Sequence, residues 1–211
     1  MEPFKVVIAG VGGQGTLLAS RLLAEAAIRV GLSVKIGETY GMAQRGGPVM
    51  GHVLIGGRVS NPRICPGEAD ALLGFEEAES VRRGVTYLKR GGLALVNSRR
   101  LPPAEVVSGM AEYPSRENLM ALLSEVTSNI VSFDATSLAE EAGDPIATNM
   151  VMLGALCASG ILPFPEKIVI DIMKESIPQR YYSTNLKAFE LGKRALSNSN
   201  ILRQDNLLSY N

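Results

Sequence analysis

A single histidine, two cysteines and no tryptophan leave this chain short of the side chains on which most metal, redox and acid–base chemistry is built. His52 has no second imidazole to work with, which disfavours zinc sites and catalytic triads. Cys65 and Cys157 stand far apart with no Cys-x-x-Cys spacing, so they cannot by themselves ligate an iron–sulfur cluster. Aromatic residues are only 5%, offering few platforms for stacking nucleic-acid bases. Charge has no surplus of either sign: 21 Lys and Arg stand against 21 Asp and Glu, without the cation excess by which nucleic-acid binders displace phosphate counterions. No apolar run approaches the roughly 20 residues that span a bilayer, and the first residues lead into a strand-like segment with no secretory pattern. These absences predict a cytoplasmic protein that binds neither nucleic acid nor membrane. They also predict that it carries no metal site and no catalytic residue of its own.

What is present is an α/β pattern in a chain of 211 residues, 46% of them hydrophobic. Residues 4–9 form a β-branched run suited to a buried strand, and residues 16–30 carry Leu18, Leu22, Ala26 and Val30 on one helical stripe that Gly31 stops. Residues 33–38 then return as a second strand, which reads as a right-handed βαβ unit. Further strands are expected at 49–55, 69–75, 93–97 and 129–133. Residues 76–90 read as a helix interrupted at Gly84 and ended by Gly91-Gly92, and 98–115 as loop and short strand. Helices follow at 116–126, 134–142, 146–159 (almost wholly apolar, hence a core helix), 165–177 and 183–196. The expectation is one Rossmann-like domain over residues 4–196: a mostly parallel sheet flanked by helices, C-terminal helices packed on it, and a polar tail at 197–211.

Two loops carry the candidate chemistry. Gly10, Gly12 and Gly15 satisfy the G-x-G-x-x-G spacing between a strand and a helix, where Gly12, Gly13, Gln14, Gly15 and Thr16 could bring backbone N–H groups to a phosphate. Glu38 ends the second strand about 20 residues further on, where dinucleotide enzymes keep a ribose-binding carboxylate. The alternative is that the glycines only permit close packing, and Gln14 is placed to fill the phosphate space itself. The second loop runs from Tyr40 through Gln44, Arg45, Gly46 and Gly47 to Pro48. Arg45 suits a phosphate or carboxylate, while the glycines equally suit the approach of another chain; docking is the favoured reading. His52 reads as a hydrogen-bonded structural residue, Cys157 as a small core hydrophobe and Cys65 as a loop thiol.

Taken together, Gly10-Val11-Gly12-Gly13-Gln14-Gly15, the run from Glu38 to Pro48, and Asn185 to Gly192 resemble the gamma-type domain of 2-oxoacid:ferredoxin oxidoreductases over about residues 4–196. The Gly-Met-Ala-Gln-Arg-Gly-Gly form at 41–47 is most similar to the smaller subunits of the indolepyruvate type. The resemblance implies a complex that decarboxylates a 2-oxoacid, here an arylpyruvate, with coenzyme A as co-substrate and ferredoxin as electron acceptor. It implies that thiamine diphosphate, magnesium and [4Fe-4S] clusters reside on a larger partner subunit. This chain would then bind no cofactor alone, contributing its two loops near the interface of a hetero-oligomer; isolated, it could pair with itself. The rival readings are a free-standing NAD- or FAD-dependent Rossmann oxidoreductase with Glu38 on the ribose, and a non-catalytic scaffold.

Overall fold

The computed structural model describes residues 2–40, 46–58 and 61–199. Its elements run β1 (Phe4–Val11), α1 (Thr16–Arg29), β2 (Val34–Tyr40), β3 (Pro48–Ile55), β4 (Ala69–Gly74), α2 (Glu77–Tyr87) and β5 (Leu88–Asn97). They continue as α3 (Ala104–Val107), α4 (Arg116–Ser124), β6 (Ile130–Phe133), α5 (Ala135–Ala142), α6 (Thr148–Ala158), α7 (Glu166–Ser176) and α8 (Gln179–Asn198).

The strands form a 6-stranded sheet in the order β2-β3-β1-β4-β5-β6. Alternation across the pleat separates two cores. Val6 and Ile8 of β1, Leu73 of β4 and Leu95 of β5 face α1, α6 and the C-terminal helices, whereas Val7, Leu72 and Val96 face Val81 of α2 and Leu119 and Leu123 of α4. Helix α6 is apolar all round and buried over its first ten residues, as a helix must be when sheet and helix sandwich it. Its outer side is covered by α8, and the two backbones touch: a Cβ on Gly154 would lie 2.0 Å from the Phe189 carbonyl oxygen. No helix among the described residues is long and apolar enough to cross a membrane.

Four expectations need correction. The strand after α1 is not the neighbour of β1: β3 lies between them, antiparallel to both, so the expected βαβ pair is split. Helix α2 stops at Tyr87, and Gly91-Gly92 lie inside β5. There the register jumps from Ala69 opposite Leu88 to Ala71 opposite Leu93, so the glycines absorb an irregularity in the ladder, with Gly91 at φ 73°. Gly84 likewise does not interrupt α2; it makes room for the side chains of Leu72 and Leu123. Residues 98–115 contain the short helix α3, begun by Pro103, and no strand. Of the expected tail, residues 200–211 lie outside the described residues, and α8 extends to Asn198.

Candidate functional site

The carboxyl ends of β1, β4, β5 and β6 open at one edge of the sheet, and β3, running the other way, brings Gly46 and Gly47 there from its start. After β1 the chain crosses to the α1 face, and after β4 to the α2 face. The gap between β1 and β4 is therefore the switch point beside which open α/β sheets bind ligands.

Gln14 spans that gap. Its Oε1 accepts the Val11 N–H at 2.9 Å, and its Nε2 donates to the Phe75 carbonyl at 3.0 Å. Gly10 is glycine because a Cβ there would lie 2.7 Å from the same Oε1. Gly15, at φ 76°, starts α1 and leaves room for the buried Asn149 of α6, whose Nδ2 would sit 2.3 Å from a Cβ. Two of the loop's donors are also committed inward, Gly12 N–H to Gly47 at 2.9 Å and Gln14 N–H to Val11 at 3.3 Å, and Gly46 N–H donates back to Gly12 at 3.4 Å. The structure thus joins the two sequence-picked loops, 10–16 and 46–47, into one hydrogen-bonded unit.

Glu38 is not brought to that unit. It pairs with Gly51, which in turn pairs with Ile8, two strand spacings or about 9–10 Å away from β1. A ribose held by the glycine loop would meet β3 where a dinucleotide fold offers the carboxylate, which removes the motivation for a free-standing nicotinamide or flavin enzyme. Tyr40 ends β2, while Gln44 and Arg45 lie outside the described residues.

Beside Gln14 a small cleft of about 210 Å³ is lined by Gly13, Gln14, Arg99, Thr136, Ile146 and Thr148. It has no carboxylate in its wall, and Arg99 brings a guanidinium that makes no hydrogen bond or ion pair among the described residues. Backbone and side-chain hydrogen bonds from Ser137, with Arg99 nearby, hold the adjacent Asp134 carboxyl below its usual range. Arg99 is placed by Asn97, which is fully buried. The Asn97 Nδ2 donates to Phe75 O and Thr136 Oγ1, each at 3.0 Å, and its Oδ1 accepts from Ala135 N–H at 3.0 Å and Arg99 N–H at 3.4 Å. Asn97, Arg99 and Asn149 did not stand out in the sequence. Applying the carboxyl-end rule to β5 as well as β1 points to the first two, but nothing in the apolar run around Asn149 marks it.

On the α2 side of the same edge, Glu76 and Glu77 are buried. Glu76 accepts from Tyr113 O–H at 2.5 Å, Leu101 N–H at 3.2 Å and Glu79 N–H at 2.8 Å, while Glu77 pairs with Arg100 at 2.8 Å. Together they fasten residues 100–116 over α2. Burial, with the Glu76 hydrogen bond, pushes the Tyr113 phenol up, so it stays a donor.

His52 is buried, its Nδ1 accepts the Ile64 N–H at 3.4 Å, and its ring meets Tyr87 edge-on at 5.2 Å. Burial, reinforced by Arg63 and Arg83, lowers its pKa below 6.5, so the native protein takes up its proton later than the unfolded chain does. Stability held above about pH 6.5 is therefore lost as pH falls toward the native-state pKa. Chemical denaturation between about pH 7 and 5 should show this slope, and His52→Asn, which keeps an acceptor, should flatten it; an unchanged slope would assign it elsewhere. The donor set does not fit an iron–sulfur cluster: Cys65 is exposed on a loop, and burial raises the Cys157 thiol to about 12, where it is protonated at neutral pH. No group of three or more His, Cys, Asp or Glu among the described residues could hold a metal ion.

Known proteins share the sequence and the α/β fold over most of the chain. The chain is 41% identical over 92% of its length to indolepyruvate oxidoreductase subunit IorB of Pyrococcus horikoshii, covering 96% of that protein. It is 39% identical to the corresponding subunit of Archaeoglobus fulgidus, over 89% of this chain and 92% of that one. Among solved structures, the gamma subunit of keto/oxoacid ferredoxin oxidoreductase from Geobacter sulfurreducens superposes with a TM-score of 0.66 at 25% identity, covering 93% of this chain and 99% of that one. The model of the pyruvate ferredoxin/flavodoxin oxidoreductase family matches residues 5–195, from β1 into the last turn of α8, and the chain belongs to that family.

Proposed function

We propose that this chain is the cofactor-free smaller subunit of a 2-oxoacid:ferredoxin oxidoreductase acting on indolepyruvate or a related arylpyruvate. The observation that carries this reading is the near full-length identity to indolepyruvate oxidoreductase subunits, in a chain whose own donor set suits neither a cluster nor acid–base catalysis. Oxidative decarboxylation needs an electron sink and one-electron acceptors, which thiamine diphosphate with magnesium and [4Fe-4S] clusters supply. We assign these to a larger partner subunit, which passes electrons to ferredoxin, and the complex to the cytoplasm. The present chain contributes a wall, with the loop unit of Gly10–Thr16 and Gly46–Gly47 facing the partner. Co-expressed with the larger subunit, it should support indolepyruvate- and coenzyme A-dependent reduction of ferredoxin. Turnover by the isolated chain, or tight NAD or FAD binding to it, would overturn the reading.

Within that reading the cleft at Arg99 is the place for a phosphate of coenzyme A. Its wall lacks carboxylates, its guanidinium makes no hydrogen bond or ion pair among the described residues, and Gly13 borders it just before α1, where helix N–H groups favour an anion. Gly13 is thus the member of the glycine motif expected to meet ligand, while Gly10 and Gly15 serve Gln14 and Asn149. Titrating coenzyme A calorimetrically into the assembled complex should show tenfold or greater weakening for Arg99→Glu. Unchanged affinity with intact assembly would take the cleft out of the coenzyme site.

A further inference from the structure

The segment fastened over α2 encloses, with α2 and α4, a groove of about 470 Å³ that neither the glycine loop nor the Arg99 cleft explains. Its walls are apolar, from Val11, Val81, Leu101, Val106, Leu119 and Leu122, and its polar groups are mainly acidic: Glu76, Glu79 and Glu112 against Arg82 alone. The three carboxylates are not equally occupied. Glu76 is saturated by Tyr113, Leu101 and Glu79. Glu79 is held by two cations, Arg82 at Oε1 and Arg83 Nε at 3.5 Å from the buried Oε2. Glu112 is exposed and makes no ion pair among the described residues. Of the neighbouring hydrophobics, Val107 and Met110, next in sequence to the lining residues Val106 and Ala111, are 77% and 76% exposed, and Leu122 of the lining is 49% exposed.

A 2-oxoacid or coenzyme A is an anion, and this groove would set Glu112 against it. What fits is an apolar side chain with a cation beside it. The groove also shares Val11 and Gly46 with the loop unit, so an occupant here is continuous with whatever covers the carboxyl edge. We propose that the groove receives a segment of the larger partner subunit carrying an apolar anchor next to a lysine or arginine. The anchor fills the space between Leu101, Val106 and Leu122, and the cation meets the exposed Glu112. The identity of the partner rests on the function proposed above; the chemistry of the segment rests on the groove.

The test is the affinity of the full-length chain for the full-length larger subunit, measured by biolayer interferometry across a salt series. Leu122→Glu and Glu112→Lys change exposed positions and leave both cores untouched. Each should weaken binding at least tenfold, Glu112→Gln should weaken it less, and the salt dependence should flatten in the Glu112 variants. Ile28→Glu, exposed on α1 at the other face, should bind as the unaltered chain does. Wild-type affinity in both groove variants would overturn the docking site while leaving the subunit assignment in place. Variants that alter only self-association of this chain would overturn it in favour of a second copy. An unaltered chain with no affinity for the larger subunit would overturn both readings.

Discussion

Gly154→Ala is expected to cost about 2–3 kcal/mol and to lower the melting temperature by roughly 4–12 °C, although alanine is the better helix former by about 1 kcal/mol. The added methyl would lie 2.0 Å from the Phe189 carbonyl oxygen and 2.8 Å from its carbon. Those are backbone atoms in the middle of α8, so no rotamer change relieves the contact; the helices must part. The contact is reciprocal, since a Cβ on Gly192 would lie 1.9 Å from the Val151 carbonyl oxygen. Gly192→Ala should cost a similar amount, and the double variant less than the sum, because separating the helices for one methyl makes room for the other. Gly84→Ala supplies the contrast: its Cβ meets only the terminal methyls of Leu123 at 2.7 Å and Leu72 at 2.9 Å, which can move. It should cost less than either. Thermal unfolding followed by circular dichroism measures all four, and an unchanged or raised melting temperature for Gly154→Ala would show that α6 and α8 are not held at backbone contact.

Asn97→Ala should cost about 2–4 kcal/mol, because it strands the buried Ala135 N–H and removes both donors that bind Phe75 and Thr136. Asn97→Asp is nearly isosteric and should be worse at neutral pH. It puts a carboxylate oxygen where an N–H₂ faced the Phe75 carbonyl, at a position with no solvent exposure. Burial and that carbonyl would raise the new carboxyl above the unfolded Asp value of about 3.9. The variant's deficit is then smallest below about pH 4, where the protonated acid can donate, and grows as pH rises toward its native-state pKa. Denaturation midpoints of wild type and variant should accordingly converge as pH falls from 7 to 4. Parallel curves would mean that the Asn97 amide is not the donor assigned to it. Either substitution should also weaken coenzyme A binding if Arg99 contacts it, since Asn97 sets the course of the chain through the Arg99 N–H.

Much of the fold could be read in advance because the relevant signals are local. The β-branched run before Gly10, the stripe from Leu18 to Ala26, and the apolar block at Met150–Leu156 each state their element within one short window. Pairing partners do not. That β3 enters between β1 and β2 depends on which strand edges meet across the sheet, and this displaced Glu38 from the place its spacing suggested. Glycines misled for the same reason. Gly84 and Gly91-Gly92 have the look of stops, yet one serves a helix contact and the others a ladder irregularity, both set by residues distant in sequence.

The residue order alone determined that this is an α/β chain and which family it resembles, because side-chain inventory and local periodicity do not depend on how the elements meet. Only the tertiary structure decided that Gln14 closes the switch-point gap, that Asn97 presents Arg99 beside it, and that residues 100–116 fold over α2 to leave an acidic, apolar-walled groove. Those outcomes rest on hydrogen bonds and ion pairs that tie Gln14 and Asn97 to Phe75, and residues 100–116 to Glu76 and Glu77, groups tens of residues apart that meet only once the sheet has brought them to the same edge.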